Sequence, residues 1–588
     1  MLKKLLISFS LLLLSFQVWG ATYYASPTGG AAASCVDNST NVCDLARAEA
    51  VATNGDTVQA ACGTYDLGAT TLTVNVNISI APVTSRCATI TGTNTTAIVT
   101  LTAANDANTL TFGGFVVQNT GGATSSTILI SNVAYDAVVE LSGTSVTVGG
   151  TNRHINDAYT RGTVKLTNVS LSGTIGAQAG FYSSTAVSSA KKVRVYGLNA
   201  TLTASAGNTP AVMLQRAAAN STSEWVYVGY SSVNVTVPVG LGASAQGMGI
   251  RVDRITSGTD LDGATTPAIV EYNTVTVTST AATSADTEAI TISSTDATAR
   301  ADYGIIRYNT ATCNSPAARC VTLAVDGSTA STVDYGQIYG NSVYGTFYDG
   351  SATPHGINLG RVTGGRVWGN YVQGFAVGIL AGINNGGLIT GNIVRGAGYA
   401  PLYAKGNTSV TFANNTVIQD SSVLGVNFGS YGAIGVAVQG ATNNAATLFA
   451  NNNIYCLTAC RTYVTVDASQ AATFQKNNYY SIVVPSQSNA WSYQGAGQTT
   501  LSGWQGAQEA TATSADPVFV GTDFSRTGNL KLATTSALRR SGQELNIGNF
   551  PDYANRAFSH PPSIGAWEVT SGDSASSRTT ASTRTVRN

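Results

Sequence analysis

The sequence has 588 residues, only 10% of them charged, and its 30 basic residues balance its 30 acidic residues. About a quarter of the residues in soluble proteins are charged, so the chain is neither a highly charged disordered polymer nor a basic nucleic-acid binder. Its abundant Gly, Ser, Thr, Asn and Val residues are typical of β-structure with many tight turns.

Residues 1–20 are predicted to be a cleaved secretory signal peptide. Two lysines precede an apolar run at residues 5–14, and Val18 and Gly20 stand at the −3 and −1 positions of a cleavage site. An uncleaved membrane anchor is the alternative. No later stretch is apolar and long enough to span a bilayer, so we expect a secreted or periplasmic protein with no membrane span after cleavage.

A short capping helix is predicted from Leu45 to Thr53. Asp44 can accept hydrogen bonds from its first N–H groups, and Asn54-Gly55 ends it. Residues 21–110 are expected to form an N-terminal cap and the first turns of the fold.

Eight cysteines fall in four local couples, which predict structural disulfides in an exported chain. The couples are Cys35/Cys43, Cys62/Cys87, Cys313/Cys320 and Cys456/Cys460. A zinc site is the alternative, but no CxxC doublet or nearby His favours it.

An asparagine recurs three residues after an apolar residue at eight places. These are Val270–Asn273, Ile306–Asn309, Ile338–Asn341, Val367–Asn370, Ile389–Asn392, Phe412–Asn415, Phe449–Asn452 and Phe474–Asn477. The asparagines are 22 to 37 residues apart, a spacing typical of solenoids. Strand-like triplets such as Ile357-Asn358-Leu359 begin ten residues before the asparagine motif in three consecutive units.

Units this short hold two or three strands and leave no room for a helix. Each unit must wind once and stack on its neighbour at about 4.8 Å. The pattern therefore predicts an all-β, single-stranded right-handed parallel β-helix over residues 111–480. We expect the asparagines to take the left-handed conformation at a corner and to form a ladder of amide hydrogen bonds.

The ends of such a solenoid need caps because they expose strand edges. Residues 481–570 are expected to form the closing coils and an aromatic cap. Its large side chains are Trp491, Trp504, Phe519, Phe524, Phe550 and Trp567. Residues 571–588 have almost no apolar content and are predicted to be a disordered tail.

These segments together resemble secreted right-handed β-helix proteins of the pectin-lyase-like superfamily. The resemblance lies in "YYASPTGG" (23–30), "LARAEAVATNGDTVQAACGTYD" (45–66), the asparagine-bearing coils, and "DPVFV" (516–520) with "SIGAWE" (563–568). It implies a parallel β-helix that acts on or binds polysaccharide. Fold alone does not choose among lyases, hydrolases, binding modules and adhesins.

One predicted outward column follows the centres of the strand triplets. It comprises Met213, Arg251, Thr291, Thr322, Asn358, Leu380, Tyr403 and Ala437, and two residues further on lie Gln215, Asp253, Ser293, Gly360, Gly382, Lys405 and Gln439. Arg251 with Asp253, and Tyr403 with Lys405, are the strongest catalytic or substrate-binding candidates. The alternative is that these polar side chains are simply solvated at the surface and have no binding or catalytic role.

A second column is predicted one residue after the apolar start of each asparagine motif. It contains Glu271, Arg307, Tyr339 and Trp368. Aromatic faces stack on sugar rings, and we expect Glu271 and Arg307 to pair across coils. The alternative is that the side chains of this column only pack against the surface and bind no sugar.

His355 belongs to "PHGINLG" (354–360), which resembles the Gly-His-Gly-Ile segment of pectin-degrading galacturonases. That resemblance implies a catalytic His355. A structural turn histidine is the alternative, because the carboxylate motifs of that family are not found here. A lyase would instead use a Lys or Arg base, such as Lys405 or Arg251, and a cation. Ca²⁺ would suit that role, but no motif of three or more acids indicates a metal site.

The leading hypothesis is a secreted β-helix protein that engages extracellular polysaccharide. One alternative is a polysaccharide lyase or glycoside hydrolase acting on uronic-acid-containing glycans. Another is a non-catalytic structural or adhesive surface solenoid.

Overall fold

The structure is a computed structural model that describes residues 20–568 with internal gaps. The gaps are residues 31–33, 37–41, 106–107, 122–125, 132, 135, 149–152, 177–178, 186–190, 206–207, 217–224, 239–245, 254–257, 260–264, 281–286, 295–302, 316–319, 328–332, 347–353, 383–384, 407–408, 424–433, 441–445, 459, 484–489, 522, 527–529 and 548–549. The predicted signal peptide, apart from Gly20, and the predicted tail lie outside the described residues. The chain divides into two compact units, residues 1–363 and 364–588.

In unit 1 the strands form three parallel stacks, which we call stacks A, B and C. Stack A comprises β1 (Thr22–Gly30), β2 (Thr57–Ala60), β5 (Ser79–Pro82), β8 (Thr109–Gly113), β11 (Val138–Ser142), β14 (Thr163–Thr167), β17 (Lys192–Tyr196), β20 (Trp225–Gly229), β25 (Ile269–Glu271), β28 (Ile305–Arg307) and β32 (Gln337–Tyr339), with the pair β31 (Val333–Asp334) and β35 (Val362–Thr363) beside it.

Stack B of unit 1 follows stack A within each coil. It comprises β3 (Gly63–Asp66), β6 (Ala88–Gly92), β9 (Val116–Asn119), β12 (Ser145–Val148), β15 (Ser170–Ile175), β18 (Asn199–Ala204), β21 (Ser232–Val237), β26 (Thr274–Ser279), β29 (Thr310–Asn314) and β33 (Ser342–Gly345).

Stack C of unit 1 completes the coil. It comprises β4 (Leu72–Val74), β7 (Val99–Thr102), β10 (Ser126–Ser131), β13 (Arg153–Thr160), β16 (Phe181–Thr185), β19 (Asn208–Arg216), β22 (Gln246–Asp253), β27 (Thr287–Ser293), β30 (Cys320–Asp326) and β34 (His355–Gly360). A separate antiparallel pair joins β23 (Gly258–Thr259) to β24 (Thr265–Thr266).

Unit 2 repeats the three-stack pattern. Stack A holds β36 (Arg366–Trp368), β38 (Asn385–Thr390), β40 (Ser409–Ala413), β43 (Leu448–Ala450) and β46 (Thr473–Gln475). Stack B holds β41 (Thr416–Gln419), β44 (Asn453–Cys456) and β47 (Asn478–Ser481). Stack C holds β42 (Ile434–Gln439), β45 (Thr462–Val466) and β48 (Trp491–Tyr493). The long strands β37 (Tyr371–Gly382) and β39 (Ile393–Lys405) run through both stacks B and C. β49 (Ala496–Gln498) closes stack C as an antiparallel hairpin with β48.

The capping helix is confirmed, and a second helix is present that the sequence pattern did not predict. Helix α1 (Leu45–Val51) begins at Asp44, whose Oδ1 accepts a hydrogen bond from Arg47 N at 2.7 Å. It ends two residues earlier than expected. Helix α2 (Leu501–Ala507) lies in the closing region, where Thr500 caps it and Trp504 is fully buried. A short 3₁₀ turn covers Ser421–Val423. In the part of the chain described here, no helix has the length and apolarity needed to cross a membrane.

Apolar side chains of alternate strand positions fill the inside of the coils. In unit 2 the rings of Phe412, Phe449 and Phe474 stack at 4.6 and 5.3 Å, one per coil. Aliphatic residues such as Val270 and Ile306 occupy the same inward position in unit 1. All four predicted disulfides are formed, each within its local couple.

The asparagine ladder is confirmed in both units. In unit 1, N and Nδ2 of Asn273 donate to Oδ1 of Asn309 at 2.9 and 3.0 Å, and Asn309 repeats this toward Asn341. In unit 2 the same bonds link Asn370, Asn392, Asn415, Asn452 and Asn477 in order. These side chains are at most 1% exposed, so the ladder satisfies buried amides within the corner.

The left-handed conformation belongs to a different residue from the one expected. The ladder asparagines are not among the residues with positive φ; the residue before each of them is. This preceding residue is Tyr272, Tyr308, Gly340, Gly369, Gly391, Asn414, Asn451 or Lys476, and Tyr230 precedes Ser231 in the same way. The expectation was wrong because the corner turns at that preceding residue, which frees the asparagine to point inward and bond along the ladder.

The parallel pairing of all three stacks confirms the predicted fold class. Each unit is a right-handed parallel β-helix, and unit 1 carries a short helix near its N-terminus.

Candidate functional site

The first predicted column lies along stack C, and the structure corrects one of its members. In unit 1 the register aligns Met213, Arg251, Thr291, Ala324 and Asn358. Ala324, not Thr322, occupies the column, because β30 begins farther upstream relative to β27 than the sequence spacing indicated. Asp326 fills the corresponding gap two residues on, between Ser293 and Gly360, and the sequence analysis missed it.

Arg251 and Asp253 lie on one strand but do not form an ion pair. The half-buried Arg251 makes no ion pair within the described ranges, and its buried Nε has no hydrogen-bond partner. Its Nη1 contacts Met248 Sδ at 3.5 Å. Asp253 is only 1% exposed, and Ser293 Oγ donates to its Oδ1 at 3.5 Å. On the next coil, Thr291 is 3% exposed with an unpartnered Oγ1.

His355 and Asn358 lie at the far end of this column within unit 1. Both are buried, with 6% and 7% exposure. Three coil steps separate Arg251 from Asn358, a distance of about 14 Å at the usual strand spacing. Arg251 and His355 therefore do not share one reaction centre.

The remaining predicted site residues lie in unit 2. Tyr403 Oη donates to Gln439 Oε1 at 3.0 Å, and its ring packs edge-on to Tyr399 at 5.8 Å. Burial raises the pKa of Tyr403. Lys405 is exposed and aligned with Gln439. Trp368 packs edge-on against Phe550 at 5.6 Å.

The second predicted column lies on stack A and forms a bonded cluster in unit 1. Arg307 Nε donates to Glu271 Oε2 at 2.5 Å, which confirms the expected pair, and its Nη1 donates to Tyr339 Oη at 2.8 Å. Tyr227 Oη donates to Glu271 Oε1 at 3.1 Å. The guanidinium and the carboxylate side chains are 26% and 10% exposed, so the pair is held partly out of water.

A column of tyrosine rings runs beside this cluster. We call it the tyrosine ladder; its members are Tyr196, Tyr230, Tyr272, Tyr308 and Tyr339. Successive ring centroids are 5.1, 5.0, 5.1 and 5.5 Å apart. The three middle residues are 40–43% exposed and lie at φ of 55–56°. Bulky residues rarely adopt that conformation, and such strain is found preferentially at functional sites.

The sequence analysis named only Tyr339 of this ladder. The signal that would have found the others is a tyrosine directly before the ladder asparagine, as in Tyr272-Asn273 and Tyr308-Asn309. On three other coils that position is glycine, as Gly340, Gly369 and Gly391, so the tyrosines do not form a regular sequence pattern.

The electrostatics of the cluster keep the tyrosines neutral. Burial, together with the negative charge of Glu271, raises the pKa of Tyr230 and Tyr272. Burial and the same carboxylate also raise the pKa of Tyr227. Burial lowers the pKa of the Arg307 guanidinium, but hydrogen bonds to Tyr339 and Glu271 outweigh it and raise that pKa overall. The face therefore presents neutral phenol groups and a permanently charged, paired guanidinium.

This arrangement suits binding through hydrogen bonds and ring contacts. Phenol groups both donate and accept hydrogen bonds, and the ring edges offer apolar contact. In the described part of the chain, no cluster of three or more His, Cys, Asp or Glu side chains could hold a metal ion.

No family model matches the chain, and no curated protein matches it. Three solved structures show similarity over much of its length. Tailspike protein 3 of bacteriophage CBA120 has 10% identity and a TM-score of 0.30, covering 77% of this chain and 59% of the tailspike, so the chain spans less than two thirds of that protein's length. Pectate lyase Pel9A has 13% identity and a TM-score of 0.20, covering 94% and 96%. XylC in complex with xylose has 9% identity and a TM-score of 0.28, covering 93% and 98%.

Proposed function

We propose that this protein is an extracellular or periplasmic polysaccharide-binding β-helix whose binding face is the tyrosine ladder with the Arg307–Glu271 pair. The observation that carries the proposal is the row of exposed, left-handed tyrosines, one per coil, beside a paired guanidinium. Polysaccharides repeat a ring with hydroxyl groups along a line, which a row of phenols can meet at each repeat. Four disulfides support an oxidising compartment.

The test is affinity electrophoresis in native gels containing pectate, xylan or a soluble cellulose derivative. We expect one of these polymers to retard the wild-type protein. The double variant Tyr230→Gly/Tyr308→Gly should lose that retardation, because glycine keeps the left-handed corners and removes two rings. Tyr335→Gly is the matched control, since Tyr335 is also exposed and left-handed but outside the ladder.

Equal retardation of the double variant and the wild type would remove the ladder as the binding face. A wild-type protein that no polysaccharide retards would instead favour the structural or adhesive solenoid.

The second candidate function is a polysaccharide lyase or glycoside hydrolase on the stack C face. Arg251 Nε and Thr291 Oγ1 lie on adjacent coils, and both are buried without a hydrogen-bond partner. Unpaired buried polar atoms are uncommon, and a bound ligand is one way to satisfy them. In this proposal Arg251 and Asp253 act on the substrate, His355 and Asn358 contact it farther along, and Tyr403 with Lys405 form a separate site in unit 2.

Catalysis is tested by incubating the protein with uronic-acid polymers while following unsaturated-product absorbance and reducing ends in parallel. Arg251→Ala should abolish turnover with an unchanged melting temperature. In the same assay, Lys405→Ala tests whether the separate site in unit 2 contributes to turnover. If neither product forms with any polymer, the enzyme hypothesis fails and the binding function stands alone.

A further inference from the structure

We infer that the ligand of the tyrosine ladder is a linear, unbranched glycan that lies parallel to the coil-stacking direction and is recognised over about five sugar units. This inference rests on the proposed binding function and specifies which polysaccharides the face accepts.

The first observation is that each of five successive coils supplies one ring, although not from the same position. On the coils of Tyr196 and Tyr339, the tyrosine ends the strand, and glycine takes the left-handed corner as Gly197 and Gly340. On the three coils between them, the tyrosine itself takes the corner. The position changes, but the line of rings continues.

Because the tyrosine occupies the corner on the middle coils, the last position of the strand is free for another side chain. There the strand ends in Gly229, Glu271 and Arg307, which lie in register with Tyr196 and Tyr339. A left-handed tyrosine carries a steric cost that glycine would avoid. The ion pair and an unbroken row of rings thus occur side by side, at the expense of backbone strain.

The rings also differ from those that serve only packing. The phenylalanine rings stacked inside unit 2 are at most 4% exposed, whereas the middle tyrosines keep about two fifths of their surface in solvent. Their planes lie within 18° and 23° of each other, so each ring covers the face of its neighbour. What the ladder offers to a ligand is therefore a row of edges and phenol groups.

Phenol rings that recur every 5.0–5.5 Å can all be contacted only by a ligand that repeats in the same direction. One sugar unit of an extended glycan is about as long as one coil step. A branch would have to leave the row and meet the Arg307–Glu271 cluster on one side. On the N-terminal side the ladder stops, because Thr167 and Asn168 occupy the corresponding coil.

The experiment is isothermal titration with size-fractionated oligomers of xylan, cellulose and polygalacturonate, two to eight units long. For the series that binds, we expect affinity to rise several-fold with each added unit and to level off at about five units. Tyr196→Ala, at the end of the ladder, should move the plateau to about four units.

Tyr272→Gly interrupts the ladder at its centre and should weaken hexamer binding at least ten-fold. It should weaken dimer binding much less, because a dimer can still bind the two intact rings on either side. Tyr303→Gly is the matched control. Tyr303 is left-handed, 45% exposed and stacked on Tyr335 at 5.3 Å, but lies outside the ladder, so its loss should change nothing.

Affinity that does not depend on oligomer length, or a plateau that Tyr196→Ala does not move, would overturn the inference while leaving polysaccharide binding intact. Equal binding of branched and linear oligomers of one sugar would overturn it as well. If no oligomer or parent polymer binds, the proposed function itself is wrong and the inference falls with it.

Discussion

A single buried histidine makes the stability of the protein depend on pH. His154 is fully buried, and its Nε2 donates to Ser172 O at 2.7 Å, which leaves Nδ1 without a partner. A proton on Nδ1 would be a buried charge with no acceptor. Burial therefore lowers the pKa of His154 from 6.5 to about 4.

The lowered pKa of His154 predicts that the protein loses stability in mild acid. Between pH 6.5 and about 4 the unfolded chain binds a proton at His154 that the folded chain does not, so the free energy of unfolding falls as the pH falls. The loss should approach roughly 3 kcal/mol. His154→Gln keeps a donor for Ser172 and removes the titration, so the wild type should lose roughly 3 kcal/mol more than the variant between pH 6.5 and about 4.

Urea denaturation at several pH values measures this difference. His560→Gln provides the control, because it replaces a histidine whose side chain is 85% exposed. A wild-type protein that loses no more stability than His154→Gln over this range would contradict the prediction.

At the scale of elements, the asparagine ladder joins successive corners into one hydrogen-bonded line. In unit 2 the line ends at Glu509, whose Oε1 accepts from Asn477 N at 2.7 Å and Nδ2 at 3.0 Å, taking the place of a further asparagine. Tyr479 and Trp504 donate to its other oxygen at 2.8 and 3.0 Å. Helix α2 thus supplies the Trp504 ring, and Glu509, two residues beyond its end, supplies the carboxylate that closes the ladder.

Asn392→Leu should destabilise the protein by about 1–3 kcal/mol through lost ladder bonds. Asn392 Nδ2 bonds Val367 O, Thr390 O and Asn415 Oδ1, and its Oδ1 accepts from Asn370 N and Nδ2. Leucine removes all five of these buried bonds. Corner strain does not contribute, because Gly391 holds the left-handed conformation. Chemical denaturation measures the change, with exposed Asn199→Ala as control; equal stability of the two variants would contradict the ladder's role.

At the scale of the whole molecule, each coil contacts mainly its neighbours, as in other solenoids. Stability in such proteins is approximately a sum of coil and nearest-neighbour terms, so long arrays lose two-state behaviour. We expect the calorimetric enthalpy of unfolding to exceed the van't Hoff enthalpy, consistent with two compact units. A ratio of one in differential scanning calorimetry would show that the whole chain unfolds as a single cooperative unit.

The sequence alone determined the repeat, the parallel coils, the asparagine ladder and the four disulfides. These features depend on local spacing: apolar residues alternate within each strand, and an amide recurs at a fixed distance from its own corner. The Glu271–Arg307 pair was predictable for the same reason, because both residues stand at the same offset from consecutive ladder asparagines.

Only the tertiary structure decided which outward side chains become neighbours. Connections between strands differ in length from coil to coil, so a column cannot be counted along the chain. For this reason Ala324 stands where Thr322 was predicted, and Asp326 was missed. The tyrosine ladder could not be predicted from the sequence either, because some of its rings come from the strand end and others from the corner. Stacking converts those two sequence positions into one line in space, and that line now carries the proposed function.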